Sequence, residues 1–353
     1  MQNKQWLKSE EYEEYKSGDI AHAPGSLASG SSSICTSIEP ARHVPDIAED
    51  VRAGLLSAPR SLPPKYFYDE RGSRLFEQIC TTPEYYPTRT EEKLLSHYSE
   101  EIINQVKPEE IIEFGSGNAQ KTRLLFDACE RSDHTCSYAP FDVCEPMLET
   151  VSEQLQSDYH WLDVKPLLGD YRAGLDHLPK THGTRLYVFL GGTIGNFYPE
   201  EAQEFIKEIK DSMQAGDYLL LGADRVKDNH LLDAAYNDEQ GITAEFNLNV
   251  LNVLNRELKA DFNPENFEHQ AEFNSVRNRI EMHLVCIRDH IVHMQQLDEI
   301  ITFQKGESIL TEVSHKFTFD GLENLLVESG LHICKHYEPE NKYFSLILAS
   351  CPE

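Results

Sequence analysis

The sequence predicts an α/β protein: a mostly parallel sheet covered by helices on both faces, joined to a second, smaller α+β domain. Short apolar strands alternate with amphipathic helices between residues 109 and 224. Helices followed by long strands interrupt this alternation over 225–316, and it resumes from 317. The chain has 353 residues, and single cores seldom exceed about 250–300 residues. Two structural units are therefore expected.

The composition indicates which partners are improbable. The chain carries 60 acidic and 32 basic side chains, a formal net charge of −28. A field of that sign repels phosphate backbones and anionic lipid, so nucleic acid and membrane surfaces are not expected as partners. The N-terminus is polar, and no apolar run approaches the ~20 residues of a membrane span.

Cysteine and histidine usage indicates compartment and metal content. The eight cysteines include no CxxC pair, which is typical of free thiols in a reducing cytoplasm. The fifteen histidines include no HExxH or similar metal-binding spacing. We expect a cytoplasmic protein without a structural metal, and a monomer.

The N-terminal hundred residues divide into a tail and a helical region. Residues 1–45 are polar and contain "GSLASGSSS", which predicts a flexible tail. "DIAEDVRAGLL" predicts a helix that "LPPKYFYDERGS" ends. Two further helices flank the aromatic loop "PEYYPT". We assign 46–89, together with the interruption at 225–316, to the second domain.

The alternating region supplies the main sheet. Strands are predicted at 109–115, 137–143, 164–171, 185–192 and 217–224, with helices at 119–131, 145–156 and 199–213. A helix ended by Gly330 and a hairpin around "PENK" complete the sheet. Residues 90–224 plus 317–353 thus form a Rossmann-like domain. Its ligand should bind beyond the carboxyl ends of the strands, where the second domain closes over it.

Three features at those strand ends predict a nucleotide-like cofactor. Gly115 and Gly117 lie between the first strand and its helix, where glycine permits positive φ and close ligand approach. The third glycine of GxGxxG is replaced by Gln120, which weakens a dinucleotide interpretation. Asp142 and Asp170 end the second and third strands. This outline favours an S-adenosylmethionine methyltransferase over a nicotinamide enzyme, and both remain open on spacing alone.

The strand "ILTEVSHKF" carries two polar neighbours among apolar residues. Alternation places Glu312 and Ser314 on one face, with Thr311 and Val313 on the other. A solvated face would explain this pattern, and so would a polar pocket.

Longer motifs provide a resemblance. "LPPKYFYDERGSRLFEQI", "PEYYPTRTE", "EFGSGNAQKTRLL", "FLGGTIGNF", "AAYNDEQGITAEFNLNVLNVLNREL", "RIEMHL" and "LTEVSHKF" resemble, in order, the histidine Nα-methyltransferases of the ergothioneine pathway. The likeness spans about 48–350. It implies trimethylation of the α-amino group of L-histidine by S-adenosylmethionine, giving hercynine, and a Rossmann-like methyltransferase domain with a smaller substrate-binding domain.

The resemblance also implies site residues. Those of the cofactor would be Gly115, Lys121, Asp142, Asp170 and Tyr171, with Lys121 in the first turn of the helix after the glycines. Those of the substrate amino and carboxylate groups would be Asn196, Tyr236, Tyr85 and Gly191, with Tyr86 as the alternative to Tyr85. Tyr68 and Phe76 would wall the pocket, Met282 would pack near the imidazole, and Glu312 with Ser314 would bond its two nitrogens. Asn196 and Tyr68 are the expected catalytic residues, with Tyr68 or water as the proton relay.

The chemistry limits what the protein must supply. Methyl transfer from a sulfonium is an in-line displacement, so positioning dominates and no dedicated strong base is expected. The α-amine must be neutral to react, and the neighbouring sulfonium favours its deprotonation. Two alternatives remain: the same chemistry on another small amine, such as a different aromatic amino acid, and a catalytically silent S-adenosylmethionine-binding or regulatory protein.

Overall fold

A computed structural model describes residues 34–352 of the chain, and its elements follow in chain order. Up to residue 106 they are β1 (Thr36–Ser37), α1 (Ile47–Gly54), β2 (Arg60–Ser61), α2 (Glu70–Thr81) and α3 (Tyr86–Val106). Up to residue 224 they are β3 (Glu110–Phe114), α4 (Arg123–Arg131), β4 (Ser137–Asp142), α5 (Glu145–Asp158), β5 (Asp163–Val164), β6 (Leu167–Leu168), β7 (Arg185–Phe189), α6 (Pro199–Ser212) and β8 (Tyr218–Asp224). Thereafter they are α7 (Asn229–Ala235), α8 (Ile242–Leu258), β9 (Phe267–Asn274), β10 (Arg279–Cys286), β11 (His290–Met294), β12 (Glu299–Phe303), β13 (Ser308–His315), α9 (Phe319–Glu328), β14 (His332–Tyr337) and β15 (Phe344–Ser350).

The main sheet has the predicted parallel architecture. Its strand order is β1-β6-β4-β3-β7-β8-β15-β14, and β5 also pairs with β4. Neighbours from β1 to β8 are parallel, whereas β15 runs antiparallel to both β8 and β14. Every residue of β3 and β7 is buried, because helices cover both faces, and this explains the apolar runs. The predicted α/β class and the terminal hairpin are confirmed.

Several predicted boundaries need correction. The strand expected at 164–171 is split into β5 and β6 around Pro166, which has no N–H for a continuous ladder. The helix expected from 119 begins at Arg123, because Ala119 takes a φ of 52° and extends the turn. Strand β9 was not predicted.

The segment predicted as a tail is ordered where the structure describes it. Strand β1 adds parallel to the edge strand β6, and the Ile38 N–H donates to the Leu168 carbonyl at 2.8 Å. Arg42 donates to the Arg172 carbonyl at 2.8 Å and ion-pairs with Glu208. The open hydrogen-bonding groups of an edge strand explain this docking. The tail prediction is thus wrong for residues 36–42, and residues 1–33 lie outside the described range.

A second sheet forms the other part of the fold. Its order is β2-β13-β10-β9, and β11 pairs with β12 beside it. One hydrophobic cluster draws its buried residues from 51–85 and 232–309, while two others lie within the main sheet and its helices. Residues 34–352 nevertheless form one compact unit. The division into 46–89 plus 225–316 and 90–224 plus 317–353 remains a proposal, which the separate clusters support. No helix in the described range is long and apolar enough to cross a membrane.

Candidate active site

The loop after β3 has the geometry expected of a cofactor turn. Gly115 and Gly117 adopt φ values of 68° and 50°, in the left-handed region that favours glycine. The Gly117 N–H donates to Asp142 Oδ2 at 3.2 Å, which joins this loop to the end of β4. Among the described residues, no heavy atom beyond Gly117 and its two chain neighbours lies within 4 Å of a Cβ built on Gly117.

The acids of the next strands lie around the same loop. Asp142 also accepts from the Cys144 N–H at 3.1 Å, and Asp170 accepts from the Arg172 N–H at 2.8 Å. A Cβ on Gly115 would lie 3.6 Å from the Tyr171 ring. Parallel strand ends thus bring four of the five predicted cofactor residues together: Gly115, Asp142, Asp170 and Tyr171. Open turn, acids and aromatic ring fit an adenosyl group with a ribose diol. The individual contacts remain proposals.

Lys121 differs from its expected setting. It lies in the loop before α4, and its ammonium ion-pairs with Glu91, which is fully buried in α3. The same carboxylate accepts the Gly191 N–H at 2.9 Å. A Cβ on Gly222 would lie 1.8 Å from Glu91 Oε1, so a side chain there would displace this carboxylate. Sequence reasoning missed Glu91, although its helical spacing from the buried Leu94 and Leu95 was an available signal.

An aromatic wall connects α2, α3 and α8. The rings of Tyr68 and Phe76 lie 5.7 Å apart, those of Phe76 and Tyr85 6.2 Å, and those of Tyr85 and Tyr236 6.1 Å. Phe246, which was not predicted, lies 5.7 Å from Tyr68 and 6.0 Å from Phe76. Edge-on contacts of this kind hold the rings in fixed orientations.

The structure distinguishes the two adjacent tyrosines. The Tyr85 ring belongs to the aromatic wall, whereas the Tyr86 hydroxyl donates to Asp224 Oδ2 at 2.6 Å. The Tyr86 hydroxyl is therefore engaged by the last residue of β8, and Tyr85 stays the candidate for substrate contact.

A β-bulge determines which way the β13 side chains point. Met282 of β10 is paired with Glu312, but His283 is paired with Leu310, which leaves Thr311 as the extra residue. The Thr311 hydroxyl donates to Asn247 Oδ1 at 2.7 Å. Glu312 is 9% exposed and Ser314 5%, so the solvated-face alternative is wrong. Met282 is buried in the core beside Glu312, and its predicted contact with an imidazole remains a proposal.

Burial sets the ionisation of Glu312. Desolvation raises its pKa to about 7, and the positive charge of Lys316 opposes this shift. The carboxylate is therefore ionised above neutral pH, and it lies in surroundings of low dielectric constant. Such a group strongly favours a ligand that donates an N–H.

Ser314 belongs to a buried polar network. Its Oγ accepts from the Tyr236 hydroxyl at 2.9 Å and from the Lys316 ammonium at 3.0 Å. Lys316 also bonds the Tyr236 oxygen at 2.8 Å and Asp224 Oδ2 at 3.1 Å. Sequence reasoning missed both Asp224 and Lys316. The signal for Lys316 was its alternation with Glu312 and Ser314 along the strand.

Asn196 reaches the site through a 3₁₀ turn, Thr193–Asn196, that docks on β13. The Gly195 carbonyl oxygen lies 3.1 Å from His315 Nδ1. A cavity of about 410 Å³ is lined by Asn196, Asp170 and Glu312, among other residues. A cavity of about 500 Å³ lies against β9 and β10 and contains none of the predicted residues.

In the main sheet a glycine turn follows β3, acids lie at the ends of β4 and β6, and β15 runs antiparallel to β8. These features define the class of S-adenosylmethionine-dependent methyltransferases. Residues 47–351 match the model of a histidine-specific, S-adenosylmethionine-dependent methyltransferase family. The chain belongs to that family.

The chain is similar to named proteins and to a solved structure. Histidine N-alpha-methyltransferase of Mycolicibacterium smegmatis is 44% identical over 303 residues, covering 86% of this chain and 94% of that protein. Ergothioneine biosynthesis protein 1 of Neurospora crassa is 32% identical over 71% of this chain and 30% of its own length. A solved S-adenosylmethionine-dependent methyltransferase from Clostridium acetobutylicum has a TM-score of 0.44 and 10% identity, covering 74% of this chain and 92% of its own.

Proposed function

We propose that this protein transfers three methyl groups from S-adenosylmethionine to the α-amino nitrogen of L-histidine, giving hercynine for ergothioneine biosynthesis. Family membership supports the reaction, and the names of the relatives support the substrate. The proposal depends on the position of Glu312. Its carboxylate is only 9% exposed, it lies two residues from the buried Ser314, and it lines the same cavity as Asn196.

The pair on β13 suits an imidazole ring. Neutral imidazole has one N–H donor and one nitrogen acceptor. Glu312 can accept from the N–H, and the Ser314 hydroxyl can bond the other nitrogen. An aromatic amino acid that lacks the N–H leaves a buried carboxylate unpaired, which costs about 1–3 kcal/mol or more.

The amino acid backbone of the substrate would lie between Asn196 and the aromatic wall. Asn196 supplies an amide that can bond the carboxylate or amine, with Tyr236 and Tyr85 nearby in the wall. Gly191 has a φ of 79°, and a Cβ there would approach Thr193 Oγ1 to 3.2 Å. Glycine therefore permits this left-handed backbone conformation, and its lack of a side chain would also leave room for the added methyls. Tyrosine faces suit the final trimethylammonium through cation–π attraction.

The protein's contribution to the chemistry is alignment. S-adenosylmethionine supplies an electrophilic methyl group when bound, and Gly115, Lys121, Asp142, Asp170 and Tyr171 would hold it. The α-amine of histidine attacks as the free base, so the site must keep that nitrogen neutral and in line. We propose Tyr68, at the end of the aromatic wall, as a relay for the released proton. The product nitrogen has no lone pair after the third methyl, which ends the reaction.

The test is incubation of the purified protein with S-adenosylmethionine and L-histidine, phenylalanine, tyrosine or tryptophan, followed by mass spectrometry. We expect hercynine from histidine and at least 100-fold slower methylation of phenylalanine, which has no donor for Glu312. Tyrosine and tryptophan have a donor but no second ring nitrogen for Ser314, so their methylation should also be slower. Asn196→Ala should nearly abolish turnover, whereas Asn324→Ala, on the exposed face of α9, should not change it. Faster methylation of another amino acid, or no methylation at all, would overturn the proposal.

A further inference from the structure

Lys316 is a buried lysine with every donor engaged. Its side chain is 1% exposed. Its ammonium lies 2.8 Å from the Tyr236 oxygen, 3.0 Å from Ser314 Oγ and 3.1 Å from Asp224 Oδ2. An ammonium has three N–H donors, so these three partners use all of them. Lys316 therefore does not reach a ligand itself, and any effect on substrate passes through its partners.

Those contacts limit what Ser314 can offer. A serine hydroxyl has two acceptor lone pairs and one donor O–H. Lys316 occupies one lone pair, and the Tyr236 hydroxyl donates to the other at 2.9 Å. A phenol is more acidic than an alkyl alcohol, which favours this direction for the Tyr236–Ser314 bond. The Ser314 O–H is then left as a donor, and under the proposed function its acceptor is the substrate ring.

We propose that Lys316 is a positioning residue that makes Ser314 a donor only, so that the site selects neutral imidazole with a bare ring nitrogen toward Ser314 and its N–H toward Glu312. This inference rests on the proposed function and assigns the protonation and tautomer of its substrate. Imidazolium, with donors on both nitrogens, would place an N–H against the Ser314 O–H and is excluded.

The surroundings keep Lys316 charged and fixed. Burial alone would lower its pKa, but Tyr236 and Asp224 raise it overall. Asp224 is also held by Lys227 and by the Tyr86 hydroxyl, so the carboxylate stays paired from both sides. Lys227 bonds Tyr86 and Asp224 but not Ser314, which makes it a matched control.

The experiment compares L-histidine with 3-(pyrrol-2-yl)alanine and 3-(pyrrol-3-yl)alanine, each of which keeps one ring N–H and replaces the other nitrogen by C–H. Methylation kcat/KM and calorimetric affinity are measured at pH 9, where Glu312 is ionised, for wild type, Lys316→Met and Lys227→Met. Wild type should favour histidine over both pyrroles by at least about 100-fold. Lys316→Met should reduce that ratio at least tenfold for the isomer that points its N–H at Ser314, because the serine can then accept.

The outcomes separate the two proposals. Ratios that stay within twofold of wild type in Lys316→Met, or that fall equally in Lys227→Met, overturn the role of Lys316 while hercynine formation still stands. If wild type neither binds nor methylates histidine, the proposed function itself fails. If Lys316→Met does not fold, Tyr236→Phe is used instead, because it removes the other donor to Ser314. A histidine-to-pyrrole ratio of kcat/KM that is unchanged in Tyr236→Phe would overturn the inference.

Discussion

Gly195 and His315 approach each other so closely that a Cβ on Gly195 would lie 2.7 Å from the His315 carbonyl oxygen. This contact joins the 3₁₀ turn of the methyltransferase sheet to the strand that carries Glu312 and Ser314. Because the obstacle is backbone, it cannot swing aside as a flexible side chain would. The absence of a side chain at 195 therefore sets the distance between Asn196 and the ring-binding face.

Gly195→Ala should force the two elements apart. We expect a loss of about 1–3 kcal/mol in the free energy of unfolding from overpacking, together with a lower kcat/KM for histidine. Denaturant unfolding and steady-state kinetics measure the two effects. Gly321→Ala, in the first turn of α9, is the control, where the nearest atom to a Cβ is the Thr318 hydroxyl at 3.1 Å. Wild-type stability and activity in Gly195→Ala would show that the contact is not required.

Glu312→Ala should weaken histidine binding selectively. Removing a charged hydrogen-bond acceptor costs about 1.5–3 kcal/mol, or roughly 10- to 150-fold in affinity. S-adenosylmethionine affinity should stay within twofold, since its proposed residues lie at the ends of β3, β4 and β6. Calorimetry with each ligand decides, and equal losses for both would remove Glu312 from the ring site.

Glu312→Gln should stabilise the ligand-free protein at alkaline pH. The folded pKa of about 7 lies above the ordinary value of 4.5, so the folded state binds more protons than the unfolded state between these values. Stability contributed by this group is therefore lost as the pH rises through 7. We expect a gain on the order of 2–3 kcal/mol at pH 8.5 that shrinks toward pH 5.

Thermal or denaturant unfolding across this pH range measures the gain. Glu323→Gln, on the exposed face of α9, serves as the control and should show no such pH dependence. A gain that is constant with pH would mean that Glu312 is not desolvated as described.

Lys121 is one of the residues expected to hold S-adenosylmethionine, and we propose that its ammonium binds the methionyl carboxylate of that compound. Because Glu91 would be left buried and unpaired, the variant to make is Lys121→Met with Glu91→Gln. We expect S-adenosylmethionine affinity to fall about tenfold. Affinity for 5′-methylthioadenosine, which has no carboxylate, should stay within twofold. Parallel losses for both compounds would assign Lys121 to the structure of the loop alone.

Much of the main sheet could be predicted from local pattern. Buried parallel strands are apolar throughout and their helices amphipathic, so β3, β7 and β8 lie close to where the alternation placed them. The glycines and Asp142 follow from the same logic, because parallel strands end at one edge. The third strand was placed less well, since Pro166 interrupts its ladder.

The sequence by itself determined the α/β class, the terminal hairpin and, through its long motifs, the family, because these depend on periodicity and on contiguous stretches of residues. Only the tertiary structure decided that Glu91 bonds Lys121 and Gly191, and that Glu312 and Ser314 are buried. It also decided that Lys316 bonds both Ser314 and Asp224. These contacts join residues distant in the chain. Burial, which raises the pKa of Glu312 to about 7, is a property of packing that no local pattern records.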